Sequence, residues 1–305
     1  MSELVLILLR QIVIMFLLIA AGAVLYKGKK ITANGSREMG TVLLYLVIPF
    51  TIINAFMTEY SPEKLVALGY SFVAALVSLV LAMLVSRVLF GSRFRIEHFG
   101  TAFSNAGFIG IPLVSAALGS GAVFYVSSFV ALLNLFQWTY GVMVMTGKKD
   151  AISLKAVVKN PILISLVVGV AIFLLRIPVP AILSQTVGMV ANLNAPLAML
   201  VLGVYMAQIR FVELVTDKIS YAASAVRLLL IPLLTIGVLS LFGNVATEIR
   251  LAVLLAAAAP IGSNVAIFAQ QNDLSYTQAV KGVCLSTALS IITMPVILWL
   301  AMSIW

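Results

Sequence analysis

Long apolar stretches, broken by short polar clusters, run from one end of the chain to the other. A helix needs about 20 mainly apolar residues to cross roughly 30 Å of hydrocarbon. That window predicts ten spans, near 3–26, 38–58, 64–90, 97–118, 121–146, 154–176, 180–208, 217–243, 248–272 and 276–305. The expected fold is an all-α integral membrane protein. An odd number of spans per half makes the second half enter the bilayer in the opposite sense from the first. Ten spans therefore divide into two inverted five-span repeats, 1–147 and 154–305.

Composition supports a lipid solvent. The 305 residues are 63% hydrophobic and only 10% charged, with a mean hydropathy of +1.17. A soluble domain would need roughly a quarter of its residues charged. The first run, Leu4 to Tyr26, is too long for a signal-peptide core, and its strongest basic cluster (Lys27, Lys29, Lys30) follows it.

The net charge of +9 does not indicate nucleic acid, because the basic residues lie in short clusters with no aromatic-interleaved face. Fourteen fall in odd-numbered loops: Lys27, Lys29, Lys30, Arg37, Arg87, Arg93, Arg95, Lys148, Lys149, Lys155, Lys159, Arg210, Lys218 and Lys281. Even-numbered loops hold Lys64, Arg176 and Arg250. The positive-inside rule then places the odd loops in the cytoplasm and both termini outside. Arg10 reads as an interface anchor and Arg227 as the one basic residue well inside a span.

Two spans carry the candidate chemistry. Span four contains Ser104-Asn105-Ala106-Gly107-Phe108-Ile109-Gly110-Ile111-Pro112, and span nine contains Pro260-Ile261-Gly262-Ser263-Asn264. Proline removes a backbone donor and glycine permits unusual dihedrals, so breaks are expected at Pro112 with Gly110 and at Pro260 with Gly262. A break at membrane depth survives only against protein or a polar cavity. Its freed amides suit an anion, while freed carbonyls and side-chain oxygens suit a cation. Paired interruptions in the two halves point to a transporter site. The candidate substrate residues are Asn105, Asn264, Asn134, Gly107, Ser263, Gln137 and Arg227. Pro49 in span two and Pro196 in span seven are matching kinks.

Bland readings stand beside these. Asn134 and Gln137 suit interhelical hydrogen bonds as well as a ligand, Ser127 and Ser128 suit back-bonding to their own helix, and Arg227 suits partial snorkelling. All ten acidic residues fall at predicted ends or loops, so no buried carboxylate relay is expected and a proton pump is disfavoured. One cysteine, Cys284, and one histidine, His98, leave a disulfide framework and a metal centre without ligands. No resident cofactor is expected beyond a possible sodium ion, for which Asn105, Ser128, Asn264 and Gln270 are the candidate ligands.

At these residues the chain resembles the auxin efflux carrier family in its short prokaryotic form. The resemblance rests on Ile48-Pro49-Phe50 with Asn54, Ser104-Asn105 through Ile111-Pro112-Leu113, Asn134 with Trp138, and Pro260 through Ala269-Gln270. It implies an inverted-repeat fold shared distantly with bile-acid/sodium symporters, placed in a prokaryotic plasma (inner) membrane. Spans 1, 2, 6 and 7 would form a scaffold and spans 3–5 and 8–10 a mobile transport core, with spans four and nine crossing in the core and an elevator-like movement. Family substrates are organic anions, auxin in plants and dicarboxylates such as malonate or malate for bacterial members. Asn105 matches a substrate-contacting asparagine and Asn134 a polar contact from span five. The long loop between spans five and six of the plant carriers is absent, which sets auxin aside. Expected partners are a small organic anion, membrane lipid and a second copy meeting through the scaffold helices. A sodium-coupled symporter is the alternative, an anion channel lacks a charged or carbonyl ring, and an enzyme lacks a nucleophile–base pair.

Overall fold

The computed structural model describes residues 2–148, 151–243 and 245–305; Lys149, one of the loop charges, lies outside the described residues. The helices in chain order are α1 (Ser2–Lys27), α2 (Ala33–Phe56), α3 (Pro62–Phe90), α4 (Arg95–Ala102), α5 (Ala106–Leu118), α6 (Ser120–Thr146), α7 (Leu154–Val158), α8 (Pro161–Leu174), α9 (Ala181–Gln208), α10 (Phe211–Thr216), α11 (Lys218–Ser240), α12 (Thr247–Ala258), α13 (Asn264–Gln271) and α14 (Tyr276–Ile304). Seven of them (α1, α2, α3, α6, α9, α11 and α14) are long and apolar enough to cross a membrane, and α5 and α8 are shorter apolar helices. Among the described residues the only extended pairing is one isolated antiparallel bridge, Ser104 to Ile261.

Polar residues start the helices and apolar ones cover them. Ser61 caps α3 by accepting from the Lys64 amide, Asn160 caps α8 through Ile162 and Leu163, and Ser275 caps α14 through Gln278. Each cap satisfies amides that a helix start leaves free. The outer surface is apolar: Val88 is 83% exposed, Ile182 78% and Leu241 84%. Water does not accommodate such a surface cheaply, and lipid does.

Three helices share a local device written in the sequence. At Leu43–Val47, Ala106–Gly110 and Val226–Leu230 the helix widens into a π turn, and each is followed by Ile-Pro: Ile48-Pro49, Ile111-Pro112 and Ile231-Pro232. The isoleucine amide reaches back five residues, to Leu43, Ala106 and Val226. The following proline has no amide, so the carbonyls of Leu44, Gly107 and Arg227 lack their helical donor. Proline is thus absorbed by widening the turn, without ending the helix.

This corrects one expectation. Pro112 and Gly110 lie inside the continuous α5; the chain leaves helical geometry earlier, between α4 and α5 at 103–105. Pro260 and Gly262 do lie at their break, in the extended link between α12 and α13. Pro49 ends a widened turn of α2. Pro196 sits in the first turn of the second leg of α9, just after an interruption at Asn192-Leu193. A first-turn proline loses no helical hydrogen bond.

Packing sorts the helices into neighbours. α1 lies along the second leg of α9, and α2 lies against α8 and the first leg of α9. The α1–α9 approach is backbone to backbone, since a Cβ at Gly22 would overlap the Leu200 carbonyl and one at Gly203 the Ile19 carbonyl. In the other set, α3 packs on α4, α6, α11 and α12, while α14 packs on α4, α11, α12 and α13. The two sets meet where α1 and α9 touch α5 and α14, and where α2 and α8 touch α6.

Candidate functional site

The two broken helices cross at their breaks. α4 and α12 end there, and α5 and α13 begin there. The extended links pair antiparallel: the Asn105 amide donates to the Pro260 carbonyl at 2.7 Å and the Gly262 amide to the Phe103 carbonyl at 3.0 Å. The Ile261 amide donates to Ser286 Oγ of α14 at 3.1 Å. A Cβ on Gly262 would lie 3.0 Å from the Ser104 carbonyl oxygen and 3.1 Å from that of Phe103, so the crossing needs glycine there. Two helix starts now face one point with their positive dipole ends, and two helix ends face it with their negative ones.

A small cavity of about 20 Å³ sits at this point, room for a water molecule. Asn105, Gly107, Asn134, Gln137, Ser263 and Asn264 all line it. Six of the seven candidate substrate residues are therefore brought together. Asn264 Nδ2 donates to Gln137 Oε1 at 3.0 Å, joining α13 to α6. Asn134 Nδ2 donates to the Val130 carbonyl of its own helix at 2.8 Å. Asn105 is buried, and its Nδ2 has no partner among the described residues. A buried amide without a partner costs about 1–3 kcal/mol, so this donor is left open to an acceptor.

Arg227 is the exception. Its side chain is 1% exposed and lines none of these cavities; Nη1 donates to the Thr101 carbonyl at 2.9 Å. Thr101 lies in the last turn of α4, so the guanidinium offsets the negative end of that half-helix. Its Nε and Nη2 have no partner among the described residues. The sodium set is also split. Asn105 and Asn264 line the crossing, whereas Ser128 faces Ser71 Oγ across 3.2 Å and Gln270 is exposed near the end of α13.

Two larger cavities flank the crossing toward opposite ends of α2. One, of about 230 Å³, is lined by Thr41, Tyr45, Trp138, Asn160, Ile267 and Gln271, and it shares Leu44, Asn134, Ile162 and Asn264 with the crossing cavity. The other, of about 350 Å³, is lined by Gln11, Thr51, Asn54, Ser115, Asn192 and Asn194 and shares no residue with it. Sequence reasoning left out most of these polar residues as site candidates. A polar side chain inside an apolar span was the available signal for Gln11, Thr51 and Asn194.

Glu97 revises the acidic inventory. It stands at the first turn of α4, at a helix end as expected, but is only 7% exposed and accepts from Gln278 Nε2 at 3.1 Å. Ser220 Oγ takes a second hydrogen bond from the same amide, at 3.2 Å, and donates to Asp217 at 3.2 Å. A buried carboxylate is thus present, away from the crossing lining.

Long apolar helices, a neutral amide-lined crossing and polar cavities on either side define an integral membrane protein of the transporter class. The family model described as membrane transport protein matches residues 7–157 and again 150–298. The chain belongs to this family, the auxin efflux carriers that its motifs resemble. It is 26% identical over 281 residues to a protein of Rhizobium meliloti (strain 1021) described as "Putative malonate transporter", with 87% of each chain covered. These relationships describe a membrane transporter.

Proposed function

We propose that this protein carries a small dicarboxylate of the malonate type across the prokaryotic plasma membrane, binding it at the crossing of α4–α5 and α12–α13. The observation that carries the reading is the neutral, amide-lined crossing, with the unpaired Asn105 donor between two helix starts. Those starts and the Asn105 side-chain amide offer donors to a carboxylate, and among the described residues no carboxylate lines the cavity to repel it.

The helices assemble into ten spans in this reading. α4 with α5, α7 with α8, and α12 with α13 each make one span, α10 lies in a loop, and both termini are outside. The halves 1–147 and 154–305 are inverted repeats, in keeping with two matches to one family model. α1, α2, α7–α8 and α9 form the scaffold, and the others form a core that moves past it. The Thr41 cavity then opens to the cytoplasm and the Asn54 cavity to the outside. Because the crossing adjoins only the Thr41 cavity, the described arrangement is the inward-facing one. The carboxylate enters by enlarging that junction, since 20 Å³ holds no dicarboxylate.

The test is transport by purified protein in liposomes, with a panel of mono- and dicarboxylates under a sodium gradient, a proton gradient or neither. Saturable uptake of a short dicarboxylate is expected. Uptake that appears only with a sodium gradient would assign the coupling ion to the symporter alternative, and unitary currents with no saturation would contradict a carrier.

A further inference from the structure

Pro112 creates a problem inside the membrane, and a residue of the opposite set of helices solves it. In the widened turn Ala106–Gly110, the Ile111 amide bonds to the Ala106 carbonyl and the Gly110 amide to the Asn105 carbonyl. The remaining helical donor for the Gly107 carbonyl would be the amide of residue 112, which is proline. That orphan is met from α9: Asn194 Nδ2 donates to the Gly107 carbonyl at 3.1 Å.

Asn194 itself is held for this task. It is the first residue of the second leg of α9, directly after the interruption at Asn192-Leu193, and is 3% exposed. Its Nδ2 must face Gly107, because the opposite amide orientation would set oxygen against oxygen. Its Oδ1 has no partner among the described residues. Gly107 lines the crossing cavity, and Ile48 of α2 packs so close that a Cβ on Gly107 would lie 3.1 Å from its Cδ1.

We infer that Asn194 is a positioning residue: by satisfying the carbonyl that Pro112 orphans, it latches the first broken helix to the α1–α9 set in the described arrangement. Any sliding of α5 past α9 breaks this bond and leaves the Gly107 carbonyl and Asn194 Nδ2 to find water or substrate. The latch therefore favours one end state over the other, and in the described arrangement Asn194 acts on the crossing through Gly107.

The inference rests on the proposed core movement, but its test needs no substrate. In full-length protein in lipid nanodiscs carrying Cys284→Ala, single cysteines at Ile267→Cys and Ser115→Cys report the two flanking cavities through the rate of maleimide labelling. Losing the bond is expected to shift the equilibrium about tenfold. If the described state starts at about 90%, Asn194→Leu then raises labelling at 115 about fivefold and lowers it at 267 about twofold. General loosening would raise both. Pro112→Ala returns an amide to position 112, so in that background Asn194→Leu should no longer change either rate. Should Asn194→Leu not fold, Asn194→Asp removes the donor at the same size and is held to the same outcome. Parallel increases, unchanged rates, or an undiminished effect with Pro112→Ala would each overturn the latch. A liposome screen without uptake would leave the labelling result standing, and unchanged labelling would leave the transport reading standing.

Discussion

In the first broken helix, the leading half α4 ends beneath a charged donor, Arg227, while the following half begins with an asparagine whose side-chain Nδ2 has no partner among the described residues. In the second, no basic side chain hydrogen-bonds the last carbonyls of α12 among the described residues, and the asparagine that opens α13 is already engaged with Gln137. The backbone bridge between them is symmetric in kind, one amide-to-carbonyl bond in each direction. The difference assigns separate tasks. The first break carries the free donor and the compensating charge that the proposed anion site calls for, whereas the second is tied into α6 and α14 by hydrogen bonds.

The largest predicted effect removes what the two breaks share. Gly262→Val would drive a side chain into the Ser104 and Phe103 carbonyls and should cost about 3 kcal/mol or more of stability. Thermal unfolding of the detergent-solubilised protein reads this directly, and a near-native midpoint would show that the links are not paired. Next comes Arg227→Met, which keeps volume but leaves the α4 end uncompensated. A charged hydrogen bond of this kind is worth about 1.5–3 kcal/mol, so a destabilisation of that order is expected, with Arg227→Lys intermediate. The third effect sharpens the contrast between the asparagines. Gln137→Ala and Asn264→Ala should show a coupling of about 1 kcal/mol in a stability cycle, whereas Asn105→Ala should not destabilise, because it removes a buried donor that has no partner among the described residues. Equal destabilisation by both asparagine changes would erase the distinction between the breaks.

The length and hydropathy of the apolar runs made the helices legible, because lipid allows few other solutions for the backbone. The meeting of Asn105, Asn134, Gln137 and Asn264 was legible for a related reason, since buried amides seek one another or a cavity. The location of the first break was not. Proline in a helix predicts a break, yet a widened turn absorbs Pro112 and the chain opens at Phe103–Asn105, where it pairs with a segment far along the chain. Nor could the sequence place Arg227 behind the crossing, since its direction depends on how α11 packs against α4. The burial of Glu97 was hidden likewise, because a helix-end position says nothing of what covers it.

The central claim is that the crossing binds the anion, through Asn105 above all. Equilibrium binding of malonate to purified wild-type, Asn105→Ala and Asn264→Ala protein, each first shown to be monodisperse, tests it most directly. At least a tenfold loss of affinity, about 1.4 kcal/mol, is expected in Asn105→Ala with no loss of stability, and a loss accompanied by lower stability in Asn264→Ala. Wild-type affinity in both variants would contradict it.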